Sequence, residues 1–258
     1  MKSRPILVSD FDGVIVDGIH EYWWSARQAC IEILSEEYEP AVLPEKVPDT
    51  FRKLRPWIHH GWEMVVIAAE HLPPKGLLQV EGANVFTDNY PLRIQQALER
   101  WNWESTQAQE ALDSVRRKEL TSNRADWLAR HRAFPQVIER FKSLESENID
   151  LVVLTTKGRE FTDELLQALK LKPKKLFGHE AGSKPEVLSH LVKESSIKGF
   201  VEDRRKTLET IISIKELSTI PCYLASWGYL KPKDKIALPK GIHLLKTKQL
   251  NQPLENWA

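Results

Sequence analysis

Cysteine is scarce: Cys30 and Cys222 are the only two in 258 residues, far apart and without metal-type spacing. That excludes a disulfide framework and a cysteine metal site, and both read as buried free thiols in a reducing compartment. No run of ~18 apolar residues occurs, so no membrane-spanning helix is expected. Met1-Lys2-Ser3-Arg4-Pro5 leads into a short apolar stretch that leaves no room for a secretory h-region, so a cytoplasmic location is expected. A surplus of charge is also missing. Lys+Arg (37) and Asp+Glu (36) nearly cancel, so no nucleic-acid partner is expected. There is no phosphate-binding GxxxxGK[ST] run, no GxGxxG fingerprint, no HExxH pair and no internal repeat. His20 and His59-His60 carry no sign of zinc ligation.

What remains is an ordinary globular balance, 41% hydrophobic and 28% charged, at a length that suits one α/β domain or a core with an insertion. Pro5-Ile6-Leu7-Val8-Ser9 reads as a buried strand running into an acidic turn, Asp10-Phe11-Asp12-Gly13. From Ile19 to about His131 the texture is helical and holds seven of the nine tryptophans. Leu92, Gln96 and 98–101 suggest one helix; Ala111, Leu112 and Val115 suggest another. Pro40, Pro44, Pro48 and Pro73-Pro74 mark breaks. Trp23, Trp24, Trp57, Trp62, Trp101, Trp103 and Trp127 read as core packing.

After Phe134-Pro135 the pattern alternates. Val137, Ile138, Phe141 and Leu144 share a helical face that Asn148 ends, and 149–154 is a β-type run. A helix with Phe161, Leu165, Leu166 and Leu169 precedes a strand around Leu176-Phe177. Ser183-Lys184-Pro185-Glu186 is a capping box with proline in the first turn, and opens a helix that turns Val187, Leu188, Leu191 and Val192 inward. Gly199-Phe200-Val201, a helix with Leu208, Ile211 and Ile212, then Cys222 to Ala225 follow, with an edge strand at His243 to Leu245. This alternation predicts an α/β fold with a parallel sheet and helices on both faces. About 115 residues separate the first strand from the rest, too many for a loop, so they form an inserted domain.

Ligands of such sheets bind beyond the carboxyl ends of the strands. Asp10 and Asp12 follow the first strand, and Thr155, Thr156 and Lys157 the second. The third leads toward Lys184, and Glu202 and Asp203 follow the fourth. Oxygen ligands of this kind suit a hard cation such as Mg²⁺. A carboxylate, a hydroxyl and a lysine beside it suit phosphoryl transfer through aspartate. Lys157 and Arg204 read as solvated or structural.

Asp10-Phe11-Asp12-Gly13-Val14 resembles the first motif, DxDGx, of the haloacid-dehalogenase superfamily. The 151–157 stretch resembles the second, Ser183-Lys184-Pro185 the third, and Phe200-Val201-Glu202-Asp203 the fourth. Pro135-Gln136-Val137 and Trp227-Gly228-Tyr229 are similar to elements of the phosphoglycolate-phosphatase-like branch. The resemblance covers residues 1–18 and about 134–230. It implies a Rossmann-like core (1–18 and 134–258) and a mainly helical type-1 cap inserted at 19–133. It implies catalytic Asp10 (nucleophile), Asp12 (general acid/base), Thr155 (phosphate binding) and Lys184 (charge neutralisation). Mg²⁺ would be held by Asp10, Asp12, Asp203 and Glu202. The substrate would be a small phosphorylated metabolite, of the phosphoglycolate or sugar-phosphate type, under a closing cap. The fourth motif departs from GDxxxD, with Glu202 at its first position and Thr207 in place of the downstream acid. Dehalogenases of the superfamily lack the second acid, so Asp12 favours phosphate esters over carbon–halogen bonds. Alternatives are a phosphomutase of the β-phosphoglucomutase type and a non-catalytic interaction module. Asp17 is read as a hinge residue.

Overall fold

A continuous apolar run, Ile6-Leu7-Val8, buries the first strand on both faces and makes it the centre of a sheet. In the computed structural model, which describes residues 4–34 and 42–257, β1 (Ile6–Ser9) is buried along its whole length. It pairs in parallel with β4 (Asp150–Leu154) on one side and β6 (Ile197–Glu202) on the other. The sheet has six strands in the order β5-β4-β1-β6-β7-β8, completed by β5 (Lys175–Phe177), β7 (Cys222–Ala225) and β8 (Ile242–Leu245). All five pairings are parallel. A second, two-stranded sheet joins β2 (Val16–Asp17) to β3 (Arg132–Ala133), antiparallel.

Helices α8 (Val137–Ser143) and α9 (Arg159–Ala168) accompany the strand order outward from β1 to β5. The chain then crosses back, through α10 (Lys184–Glu194), to β6, and continues through α11 (Arg205–Ser213) to β7; α12 (Thr247–Leu250) follows β8. Right-handed crossovers therefore place α8 and α9 on one face and α10 and α11 on the other. Val187, Leu188 and Leu191 of α10 and Leu208 and Ile211 of α11 pack on Ile6, Val8, Val152, Leu154, Phe200, Cys222 and Leu224. On the opposite face Tyr223 meets Trp257 edge-on, and Arg140 of α8 lies over the same indole. Reversal of the strand order at β1 makes the carboxyl ends of β1 and β6 the switch point where ligands of such sheets bind.

Helix α10 starts as its sequence dictates: Ser183 Oγ accepts from the Glu186 N–H and the Glu186 side chain accepts from the Ser183 N–H. Asn148 stops the turn after α8 with a left-handed φ of 59°.

The chain divides into two compact units, Met1–Asp17 with Arg132–Ala258, and Gly18–His131. Against the expected boundaries, Gly18 joins the helical unit. Arg132 and Ala133 belong to the sheet unit because they pair with Asp17 and Val16. The helical unit contains α1 (Ile19–Ile33), α2 (Asp49–Leu54), α3 (Gly61–Ala69), α4 (Leu78–Asp88, interrupted at Gly82), α5 (Tyr90–Trp101), α6 (Ser105–Ser122) and α7 (Arg124–Ala129). Helices α1, α3 and α6 pack on one another. Fully buried Glu21 accepts from Arg116 Nε and Nη2 at 2.7 and 3.0 Å, Ser25 Oγ at 2.6 Å and Trp127 Nε1 at 3.3 Å. Of the seven tryptophans read as core, Trp23, Trp101, Trp103 and Trp127 are buried, whereas Trp24, Trp57 and Trp62 are half-buried. Pro40 lies outside the described residues. No helix among the described residues is long and apolar enough to cross a membrane.

Candidate active site

The β1–β6 ladder extends past Ser9, because the Asp10 N–H donates to Val201 O at 2.8 Å. Asp10 is thereby fixed at the sheet's carboxyl edge. The turn behind it closes tightly, with Ile15 N–H on Phe11 O and Gly13 N–H on Val16 O, both at 2.8 Å. Asp10 Oδ1 accepts from the Phe11 N–H at 2.7 Å and lies 3.0 Å from Lys184 Nζ. Both contacts fall on Oδ1, so Oδ2 takes no hydrogen bond among the described residues.

Lys184, in the first turn of α10, also donates to Glu202 Oε2 at 2.6 Å. Glu202 ends β6, and its other oxygen accepts the N–H groups of Asp203 and Arg204, both at 3.0 Å. Glu202 thus uses both oxygens to hold the lysine and the turn that carries Asp203. Burial opposes the Lys184 charge, but Asp10 and then Glu202 outweigh it and hold the ammonium above the usual lysine range. Burial, then repulsion from Glu202, pushes the Asp10 carboxyl up to about 7 against the pull of Lys184.

Asp203 is clasped from two sides. Its Oδ2 accepts from the Tyr229 N–H at 2.8 Å, and both Gly13 and Gly228 lie against it. A Cβ on Gly13 would stand 1.9 Å from Asp203 Oδ2, and one on Gly228 2.3 Å from Asp203 Cβ. Gly13 also has φ 87°, so two independent constraints ask for glycine there. Trp227 Nε1 donates to Val14 O at 3.0 Å and Tyr229 O–H to Asp17 Oδ1, which ties the 227–229 segment to the turn after β1. Asp17 is engaged in this clasp.

Asp10, Glu202 and Asp203 each offer a carboxylate oxygen within 4.8 Å of the others, and all three are buried. Asp12 falls outside that group; its Oδ1 lies 3.7 Å from Lys157 Nζ. Thr155 is buried at the end of β4, where its Oγ1 accepts from the Lys157 N–H at 3.1 Å. Its hydroxyl hydrogen is then left to donate. The six groups together carry four carboxylates and two ammonium groups, a formal excess of negative charge. Oxygen donors, burial and that excess fit a hard divalent cation. Of the two alternatives expected for Lys157, solvated or structural, the structure shows the second: its side chain is only 2% exposed and faces Asp12. A lysine after a strand-end threonine looks like an ordinary turn, and only the tertiary fold shows it buried.

No family model and no curated protein sequence matches the chain. Solved structures do. A predicted phosphatase from Clostridium acetobutylicum superposes with TM-score 0.57 at 12% identity, over 93% of this chain and 94% of that one. A predicted phosphoglycolate phosphatase from Haemophilus somnus gives 0.56 at 14%, over 93% and 92%. A protein described as a haloacid dehalogenase-like hydrolase from Bacteroides fragilis gives 0.54 at 12%, over 96% and 100%. The chain shares their fold along nearly its whole length.

Proposed function

We propose that the chain is a phosphatase of the haloacid-dehalogenase superfamily that hydrolyses a small phosphomonoester through an aspartyl-phosphate on Asp10. The observation that carries the reading is the anchoring of Asp10. Oδ1 is held by the Phe11 N–H and Lys184, while Oδ2 is left for attack. The whole-length likeness in fold to structures described as phosphatases supports it.

In the first step Asp10 Oδ2 forms a bond to phosphorus as the ester P–O bond breaks. Asp12 gives its proton to the leaving alkoxide. In the second, Asp12 takes a proton from water, whose oxygen bonds to phosphorus as the Oδ2–P bond breaks and phosphate leaves. Lys184 offsets charge at the nucleophile, and the Thr155 hydroxyl donates to a phosphoryl oxygen. Lys157 holds Asp12 in place. Asp10, Asp203 and Glu202 would hold a cation such as Mg²⁺, with Asp12 beside them. When bound, the cation supplies Lewis-acid stabilisation of phosphoryl charge. In this reading the helical unit, Gly18–His131, is the cap of the superfamily.

The test is phosphate release from a panel of small phosphomonoesters, with and without Mg²⁺, by wild-type and Asp10→Asn protein. Release that needs both Mg²⁺ and Asp10 is expected. Release by Asp10→Asn at the wild-type rate would sink the reading.

A further inference from the structure

The helix behind the Thr155 loop cannot be capped by its own N-cap residue. That residue is Gly158, and a glycine offers no side chain to the first N–H groups of α9. Glu180 supplies the cap from the loop after β5, 21 residues along the chain. The Arg159 N–H donates to its Oε1 at 3.1 Å and to its Oε2 at 3.3 Å. A carboxylate suits that end of a helix, where the peptide dipoles leave partial positive charge. Glycines on both sides make room for it. A Cβ on Gly178 would stand 2.3 Å from Glu180 Oε2 and 2.5 Å from the Arg159 nitrogen, and one on Gly158 3.1 Å from the Phe161 ring.

This contact is the last of three that lace the two loops together. The Thr155 N–H donates to Phe177 O at 2.9 Å, just beyond the Leu154–Phe177 pair of the β4–β5 ladder. The His179 N–H donates to Lys157 O at 3.3 Å. Unlike these two, the tie at Arg159 is made by a side chain. One of the laced loops carries Thr155 and buried Lys157, and the other runs on through Gly182 and Ser183 to Lys184. Thr155 Oγ1 accepts from the Lys157 N–H at 3.1 Å, so the direction left to its hydroxyl hydrogen follows the backbone at residue 157. Whatever holds 157–159 in place therefore aims the Thr155 hydroxyl. The Glu180 side chain is itself 52% exposed, so its removal leaves the core intact.

We propose that Glu180 is a positioning residue for phosphoryl binding: by capping α9 from the neighbouring loop, it fixes the segment that aims the Thr155 hydroxyl. The inference rests on the phosphatase reading, in which Thr155 donates to a phosphoryl oxygen. Glu180 touches neither substrate nor cation in this account. It acts through the backbone of 157–159, and a donor displaced by a fraction of an ångström loses much of its effect on a transition state.

The test compares wild-type, Glu180→Ala and Glu180→Gln proteins by calorimetry, amide hydrogen exchange and turnover. Glu180→Ala should bind inorganic phosphate in Mg²⁺ at least ~5-fold more weakly and lower kcat for phosphate release ~10-fold. Its Mg²⁺ affinity should stay within about twofold, because Asp10, Glu202 and Asp203 lie at the ends of β1 and β6. Exchange should quicken in the peptide holding residues 155–162 and stay unchanged at 197–203. Glu180→Gln keeps an oxygen that accepts from the Arg159 N–H, and should recover phosphate affinity to within ~3-fold of the wild type. Faster exchange at 155–162 with phosphate affinity and kcat unchanged would reduce Glu180 to a helix cap and overturn the assignment. Unchanged exchange, or an equal loss of Mg²⁺ affinity, would overturn it too. A wild-type protein that neither binds nor releases phosphate would instead overturn the phosphatase reading, and this assignment with it.

Discussion

Asp10 is a carboxyl whose surroundings resist its ionisation. Burial and Glu202 raise it from 3.8 to about 7 while Lys184 pulls it down. Between those values the folded protein holds a proton that the unfolded chain has released. The unfolded state therefore binds fewer protons, and the metal-free fold loses stability as pH rises through that window. A divalent cation competes for the same carboxylate. Mg²⁺ affinity should accordingly rise about tenfold per pH unit below 7 and level off above it, measured by calorimetric titration from pH 5.5 to 8.5. An affinity independent of pH would contradict this. Lys184 binds two buried acids at 3.0 and 2.6 Å, so Lys184→Met leaves both carboxylates without their cation. Urea unfolding should show a loss of about 3–5 kcal/mol, and phosphate release should fall at least ~100-fold.

At the scale of elements, the turn after β1 and the 227–229 segment act as one clasp on Asp203. Gly13→Ala puts a methyl group into the space of Asp203 Oδ2 and strains a φ of 87°. It should destabilise the fold by about 1–3 kcal/mol and weaken Mg²⁺ binding at least tenfold, read by thermal unfolding and calorimetry. Much of this scale was legible in the sequence. The strand at Cys222–Ala225 and the Ser183 capping box follow from local pattern alone. So does the halt at Asn148, which needs only a left-handed residue. The bond from Lys184 to Glu202 was not legible, since it joins residues 18 apart that only the crossover from β5 to β6 brings together. Which of the two alternatives holds for Lys157, solvated or structural, was not legible for the same reason, because burial is a property of the assembled sheet. Half-buried Trp24, Trp57 and Trp62 show the converse: aromatic composition says that a residue packs, and not how completely.

At the scale of the molecule, every residue of the candidate site belongs to the unit formed by Met1–Asp17 and Arg132–Ala258. The helical unit has its own buried ionic centre, Glu21 with Arg116. Arg116→Met leaves Glu21 buried and unpaired by its main partner, and should lower stability by about 3–5 kcal/mol in urea unfolding. Metal holding belongs to the sheet unit in this account. Below the unfolding temperature the Arg116→Met protein should therefore bind Mg²⁺ within about twofold of the wild type. A large loss of affinity would show that the carboxylate cluster depends on the helical unit.

The central claim is that Asp10 becomes phosphorylated, and acetyl phosphate tests it directly. Its leaving group needs no proton, so Asp12→Asn should still be charged at Asp10 but should hydrolyse slowly, for want of a base to activate water. With labelled acetyl phosphate, Mg²⁺ and an acid quench, the account predicts hydroxylamine-labile label on the peptide containing Asp10, accumulating in Asp12→Asn and absent from Asp10→Asn. Turnover without label on the protein, or label that persists in Asp10→Asn, would contradict it.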